Sequence, residues 1–278
     1  MTWLQRTFAF LQIFGISVGQ ARAEIAESWE IYFLQVNSVP STIAVDLGLR
    51  EAAPIAKLPQ LLWVTIALNE PNQPNGMQSA AEQPTLIKID EAIISAMKEC
   101  PTARHVGRLT GGGRRILYFY AAECARLDEI AAKAMAQFPS YRFKAGQTHE
   151  PTWSTYIEHL YPERHSMRQI SNRHLFDVIE KSIANDGSAR EIDHFAFFKT
   201  AEGRRKFVEE VTAEKFEIAE EMPKKKGAPD GFPYGVHFQR TDVLRRDVIE
   251  GVTWKLEDLA AKHEGMYDGW GAMAGRRR

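Results

Sequence analysis

Residues 191–211, EIDHFAFFKTAEGRRKFVEEV, hold the pattern that decides the fold. Residues 192–198 are rich in β-branched and aromatic side chains and read as a strand. Thr200 follows as a helix N-cap, and Glu202 falls in the first turn, where a carboxylate suits the helix dipole. Residues 201–214 therefore read as a helix. Downstream, 216–221 reads as a strand, 223–233 as a Lys- and Gly-rich turn and 234–240 as a third strand. The helix expected over 243–263 carries Val248, Ile249, Val252, Leu256, Leu259 and Ala260 on one stripe, and 266–272 closes the unit. The order β-α-β-β-α-β predicts a ferredoxin-like unit, with four antiparallel strands and both helices on one face.

The same order appears upstream. Residues 60–68 read as a buried strand, and 86–99 as a helix with Ile89, Ile93, Ile94 and Met97 on one stripe. Strands at 104–109 and 115–121 are joined through Thr110, Gly111, Gly112 and Gly113, where glycine reaches positive φ at no steric cost. A helix over 125–138 and a strand over 141–145 complete the unit. Ahead of it, 29–36 and 41–49 read as a hairpin or a pair of neighbouring strands. Residues 153–181 read as largely helical, interrupted near Pro162, in a composition suited to bridging two domains, and 184–190 is the best linker. The expectation is an α+β chain of two ferredoxin-like βαββαβ units, the first with an extra N-terminal strand pair, joined by a helical segment. The divisions are 24–150, 151–190 and 191–275.

Composition narrows the function classes. Lys and Arg total 35 against 36 Asp and Glu in 278 residues, a net charge of -1 that excludes a globally basic nucleic-acid binder. The aromatic signature of an RNA-recognition sheet is missing, so direct nucleic-acid binding is not expected, and the Lys224–Lys226 run reads as a solvated loop. Two cysteines, Cys100 and Cys124, make neither a disulfide framework nor a four-cysteine zinc site, and their spacing leaves pairing open. Residues 1–23 combine Arg6, an apolar run over 7–19 and Ala21-Arg22-Ala23, the parts of a secretory signal cleaved after Ala23; an amphipathic extension is the other reading. That run is shorter than the roughly 20 residues a membrane span needs, so no span is expected.

Candidate chemistry is sparse. No G-x-x-x-x-G-K-S/T, H-E-x-x-H or C-x-x-C motif occurs. His159 and His165 are spaced poorly for a shared metal. His149-Glu150 at a strand end, and the long 69–84 loop, leave a ligand-binding or enzymatic first domain as an alternative. No metal, cofactor or catalytic set is expected. The second unit offers an interaction face instead. If Phe195, Phe197, Val236 and Phe238 meet the helices, His194 and His237 point to the open face. Asp268 and Trp270 join them from the closing strand, giving a protein-interaction face of His194, His237, Asp268 and Trp270.

At this level the second unit resembles a known family. EIDHFAFFKTAEGRRKFVEEV, YGVHFQRTDVL and LAAKHEGMYDGWGA resemble the RraB family, regulators of ribonuclease E activity, and Gly265-Met266-Tyr267-Asp268-Gly269-Trp270 is the most specific piece. WEIYFLQVNSVPSTIAVDLGLR, LPQLLWVTIAL, RHVGRLTGGGRRILYFYA and FPSYRFKAGQTHEPTWSTYIEHLYP resemble DUF695, a bacterial family of unknown function. The resemblance implies a non-catalytic adaptor that binds a ribonuclease scaffold region in the cytoplasm and lowers its activity. A cleaved signal would instead make it a periplasmic interaction protein that reuses the fold.

Overall fold

The computed structural model describes residues 25–72, 75–182, 188–222 and 229–272. The signal-like residues 1–23, the Lys224–Lys226 run and most of the expected linker lie outside them.

The first sheet starts with a hairpin of β1 (Trp29–Val36) and β2 (Val39–Asp46), in register from Trp29 opposite Asp46 to Val36 opposite Val39. Leu47–Leu49, expected as strand, is instead a 3-10 turn; the Asp46 carboxylate accepts from the Gly48 amide and ends the extended run. After β3 (Gln60–Ala67), helix α1 spans Gln83–Ala96, and Pro84 sits in its first turn, where the missing N–H costs nothing. Strands β4 (Arg104–Gly111) and β5 (Arg114–Ala121) meet through Gly112 and Gly113, whose φ values of +59° and +73° make a two-residue hairpin turn. Helix α2 (Leu127–Met135) and β6 (Phe143–His149) follow. The sheet order is β1-β2-β4-β5-β3-β6. The last four positions are the ferredoxin-like order, and the hairpin extends it through β2 against β4.

Both faces of this sheet carry cores. Leu62, Val64, Ile66, Leu117 and Phe119 meet Leu86, Ile89 and Ile93 of α1 and Ile130 and Ala134 of α2. On the other face Tyr32, Ile43, Val45 and Tyr120 meet Trp153, Tyr156 and Leu160. Tyr156 and Leu160 belong to a π-helical turn, Thr155–Leu160, which Trp153 just precedes; Pro162 and helix α3 (Arg164–Ser182) follow. Cys100 and Cys124 are joined in a disulfide, their Cα atoms 5.4 Å apart, tying the end of α1 to the start of α2.

The second sheet contains β7 (Ala189–Phe198), β8 (Glu217–Met222), β9 (Tyr234–Val243) and β10 (Gly265–Ala272), in the order β10-β7-β9-β8. Helices α4 (Ala201–Ala213) and α5 (Arg246–Lys262) cover one face over Ala196, Phe198, Val236, Phe238 and Tyr267. Thr200 caps α4 by accepting from the Gly203 amide at 3.0 Å. Helix α3 joins the two units. Its Arg173 pairs with Glu30 of β1 at 2.5 Å, and its Asn172 donates to Thr253 of α5 at 2.8 Å.

Two expected placements are overturned. His194 is fully buried on the helix-covered face, because Ile192, Ala196 and Phe198 share its side of β7 and outweigh Phe195 and Phe197 opposite. The register pairs His194 with Phe238 and Phe195 with His237, so the two histidines occupy opposite faces. Trp270 is also buried, at 7% exposure. A bulge between Tyr267 and Gly269 leaves Asp268 as the extra residue, which turns Tyr267 and Trp270 inward together.

Candidate functional site

The open face of the second sheet is built by the alternate residues of each strand. Strand β7 presents Asp193, Phe195 and Phe197; β9 presents Gly235, His237 and Gln239; β8 adds Glu217 and Glu220 beside them. The Phe195 and His237 rings stack 4.7 Å apart at 15°. His237 Nε2 lies 2.6 Å from Asp193 Oδ1, which fixes the imidazole over the strand. Gln239 donates to Glu191 at 3.1 Å. Phe197 lies so close over Gly235 that a Cβ there would sit 2.9 Å from its ring, so only glycine permits that contact. The result is a half-buried aromatic centre with carboxylates around it.

Of the four residues expected on this face, His237 is there and Asp268 is exposed at the bulge of β10. His194 and Trp270 lie behind it. His194 Nδ1 is 2.7 Å from the Tyr267 hydroxyl, and burial, with Arg240 and His237 adding like charge, pushes the imidazole down to about 3. Trp270 Nε1 donates to Asn172 at 2.9 Å and its ring packs on Phe176, both from α3. Phe195, Phe197 and Asp193 are the members that sequence reasoning missed. The available signal was the larger apolar sum of Ile192, Ala196 and Phe198 on the other side of the strand.

The His149-Glu150 candidate has a structural role in the first unit. Glu150 receives the Tyr120 hydroxyl at 2.8 Å, the Ser154 hydroxyl at 2.9 Å, and the Thr155 amide and hydroxyl at 2.6 and 2.8 Å. Burial opposes its charge, but these bonds outweigh burial and hold its carboxyl below the usual value. His149 lies 3.1 Å from the Gln60 amide. The 69–84 loop folds back on itself: Glu82 accepts from the Asn69 and Glu70 amides, and Gly113 donates to the Gly76 carbonyl. Among the described residues, no cluster of three His, Cys, Asp or Glu side chains is placed to hold a metal, and no helix is long and apolar enough to cross a membrane.

Comparison with known proteins assigns both units. Residues 27–161 match the family of unknown function DUF695, and residues 169–272 match Regulator of ribonuclease activity B, RraB. No curated protein matches this chain. Among solved structures, an unknown protein from Galdieria sulphuraria is similar at 10% identity and a TM-score of 0.21, over 77% of this chain and 99% of that one. The chain is thus a DUF695 domain followed by an RraB domain.

Proposed function

We propose that the chain is a non-catalytic, protein-binding regulator of RraB type that modulates ribonuclease E-type RNA turnover, with the open face of the second sheet as its contact surface. The observation that carries this reading is the match of residues 169–272 to Regulator of ribonuclease activity B. The stacked Phe195 and His237, with Phe197 over Gly235, supply the apolar centre a protein contact needs. Asp193, Glu191, Glu217 and Glu220 surround it with negative charge, which suits a basic segment of a ribonuclease scaffold region. His194 and Trp270 serve this face from behind, by holding β7 and β10 in place.

The test is calorimetric titration of the full chain with the scaffold region and, separately, with the catalytic region of a ribonuclease E, alongside RNA cleavage assays. Binding to the scaffold region and slower cleavage are expected. Phe195→Ala with Phe197→Ala should weaken binding by about tenfold or more while leaving the fold intact. Unchanged cleavage at saturating protein would reject the reading.

The Cys100–Cys124 disulfide favours a second reading, an exported interaction protein, since such bonds persist in oxidising compartments. Mass spectrometry of native material separates the two. An N-terminus at Glu24 supports export to the periplasm, and an intact start supports the cytoplasmic regulator.

A further inference from the structure

A helix on a sheet covers about two strands, because packed helices lie about 8–10 Å apart and paired strands about 4.8 Å apart. In the first sheet α2 packs beside β6, and α1 reaches β4 and β5 through Asp90, which pairs with Arg108 and Arg115. Those helices account for four strands. On the same face β1 and β2 have no helix among the described residues.

The surface left there is apolar. Trp29, Ile31 and Phe33 of β1 are 38%, 44% and 61% exposed, and Ile31 and Phe33 stand opposite Ala44 and Thr42 of β2. The Trp29 ring rests on His105, which rests on Phe119 of the helix-covered core, so the stripe lies on the α1 side of the sheet. Along α1, Gln83, Ile87, Asp90 and Ile94 share one flank at helical spacing. Gln83 and Asp90 bond Arg115, which leaves Ile87, 44% exposed, on the flank next to β2. Of the five large apolar side chains exposed among the described residues, four border this slot.

Charge distinguishes one edge of the slot. Arg108 and Arg115 both donate to Asp90 Oδ2, at 2.5 and 3.0 Å, while the buried Oδ1 has no partner. Arg115 spends its other donors on Thr110 and Gln83. Two guanidinium groups thus share one carboxylate, and the more accessible cation is Arg108, with its side chain 23% exposed.

We propose that this slot receives an amphipathic α-helix of a partner protein, its apolar stripe on Trp29, Ile31, Phe33 and Ile87 and an acidic side chain on Arg108. The surface belongs to the first unit, so the proposal stands apart from the regulator reading of the second. The chain's own residues 1–23 carry Arg6 and Arg22 and no carboxylate, so they lack the charge that Arg108 calls for.

The probe is a designed peptide of about 18 residues, long enough to be helical, with a leucine stripe and one central Glu. Its twin has Lys in place of that Glu. Titrated into the full chain, the Glu peptide should bind about tenfold tighter than the Lys twin. Phe33→Asp, at an exposed position, should weaken both by about tenfold or more, and Arg108→Gln should erase the difference between them. Equal binding of the two peptides, or binding indifferent to Phe33→Asp, overturns the proposal. So does a tenfold gain in peptide affinity from Phe10→Asp with Ile13→Asp, which would mean that the chain's own N-terminal residues fill the slot. Sedimentation in which Phe33→Asp converts a dimer to a monomer would assign the slot to a second copy and equally overturn it.

Discussion

The Nδ1 atom of His194 lies 2.7 Å from the Tyr267 hydroxyl, inside the helix-covered face of the second sheet. The ring also stacks on Phe238 at 5.5 Å and meets Phe216 edge-on, and its Nε2 is buried with no partner. Such a site holds the neutral imidazole and rejects the cation.

A pH dependence follows. Folded His194 is pushed down to about 3 from 6.5, chiefly by burial. Between those values the unfolded chain binds a proton that the native state refuses, so stability is complete above about pH 6.5 and falls as the pH drops toward 3. The slope from this one group is about 1.4 kcal/mol per pH unit. Urea unfolding at pH 6.5 and pH 4.5 should show the wild type losing roughly 2–3 kcal/mol more than His194→Gln. His105, pushed down to about 4 by burial and by Arg108, acts in the same direction but is present in both proteins and cancels. Parallel losses in the two proteins would mean that His194 is not the group responsible.

The disulfide closes a loop of 24 residues in sequence separation, between the end of α1 and the start of α2. Restricting the unfolded chain over that span is worth roughly 3 kcal/mol in the chain-entropy account. Cys100→Ser with Cys124→Ser should lower stability by about that amount under non-reducing conditions. The intact mass of the wild type should rise by the two hydrogens of a reduced pair on treatment with a thiol. Free thiols in unreduced protein would contradict the pairing.

The two βαββαβ orders were legible because strand and helix periods differ and glycine and proline mark the turns. Period-two alternation also grouped Phe195 with Phe197 and set His194 apart. Alternation alone does not say which group meets the helices; the larger apolar sum of Ile192, Ala196 and Phe198 decides it, and Phe238 opposite His194 on β9 adds to the same side. At the closing strand the alternation itself fails, because the Tyr267/Gly269 bulge inserts Asp268. Helix α3 was visible as a helix, but its polar residues concealed its role. Arg173, Gln169 and Asn172 satisfy groups on β1 and β10 that are distant in sequence. The Cys100–Cys124 pairing depends on how α1 and α2 lie side by side, which spacing alone does not encode.

Leu256 continues the buried stripe of α5 and is 2% exposed between the sheet and α4. Leu256→Ala should cost about 2–5 kcal/mol, from lost burial and the cavity left behind. One residue earlier, Lys255 pairs with Glu214 at the surface, where both side chains remain largely solvated. Lys255→Ala should change stability by no more than about 0.5 kcal/mol. Chemical denaturation of the two variants tests which face of α5 is buried, and comparable losses would mean that the assignment is wrong.

Trp270 is the point where α3 grips the second sheet. Its Nε1 donates to Asn172 Oδ1, Asn172 donates to Thr253, and Thr253 donates to the Glu250 carbonyl, a chain running from β10 through α3 to α5. Asn172 is 1% exposed and Thr253 fully buried, so solvent cannot replace a lost member. Trp270→Phe keeps an aromatic ring against Phe176 but leaves the Asn172 oxygen unsatisfied, at a cost of about 1–3 kcal/mol. Asn172→Leu alone also strands Thr253, whereas the double variant removes both ends of the Trp270–Asn172 bond. Its loss should be smaller than the sum of the single losses by about 0.5 kcal/mol or more. If the two losses simply add, the bond contributes nothing. Trp270 would then be a packing residue alone, held by Phe176 and not by the polar chain.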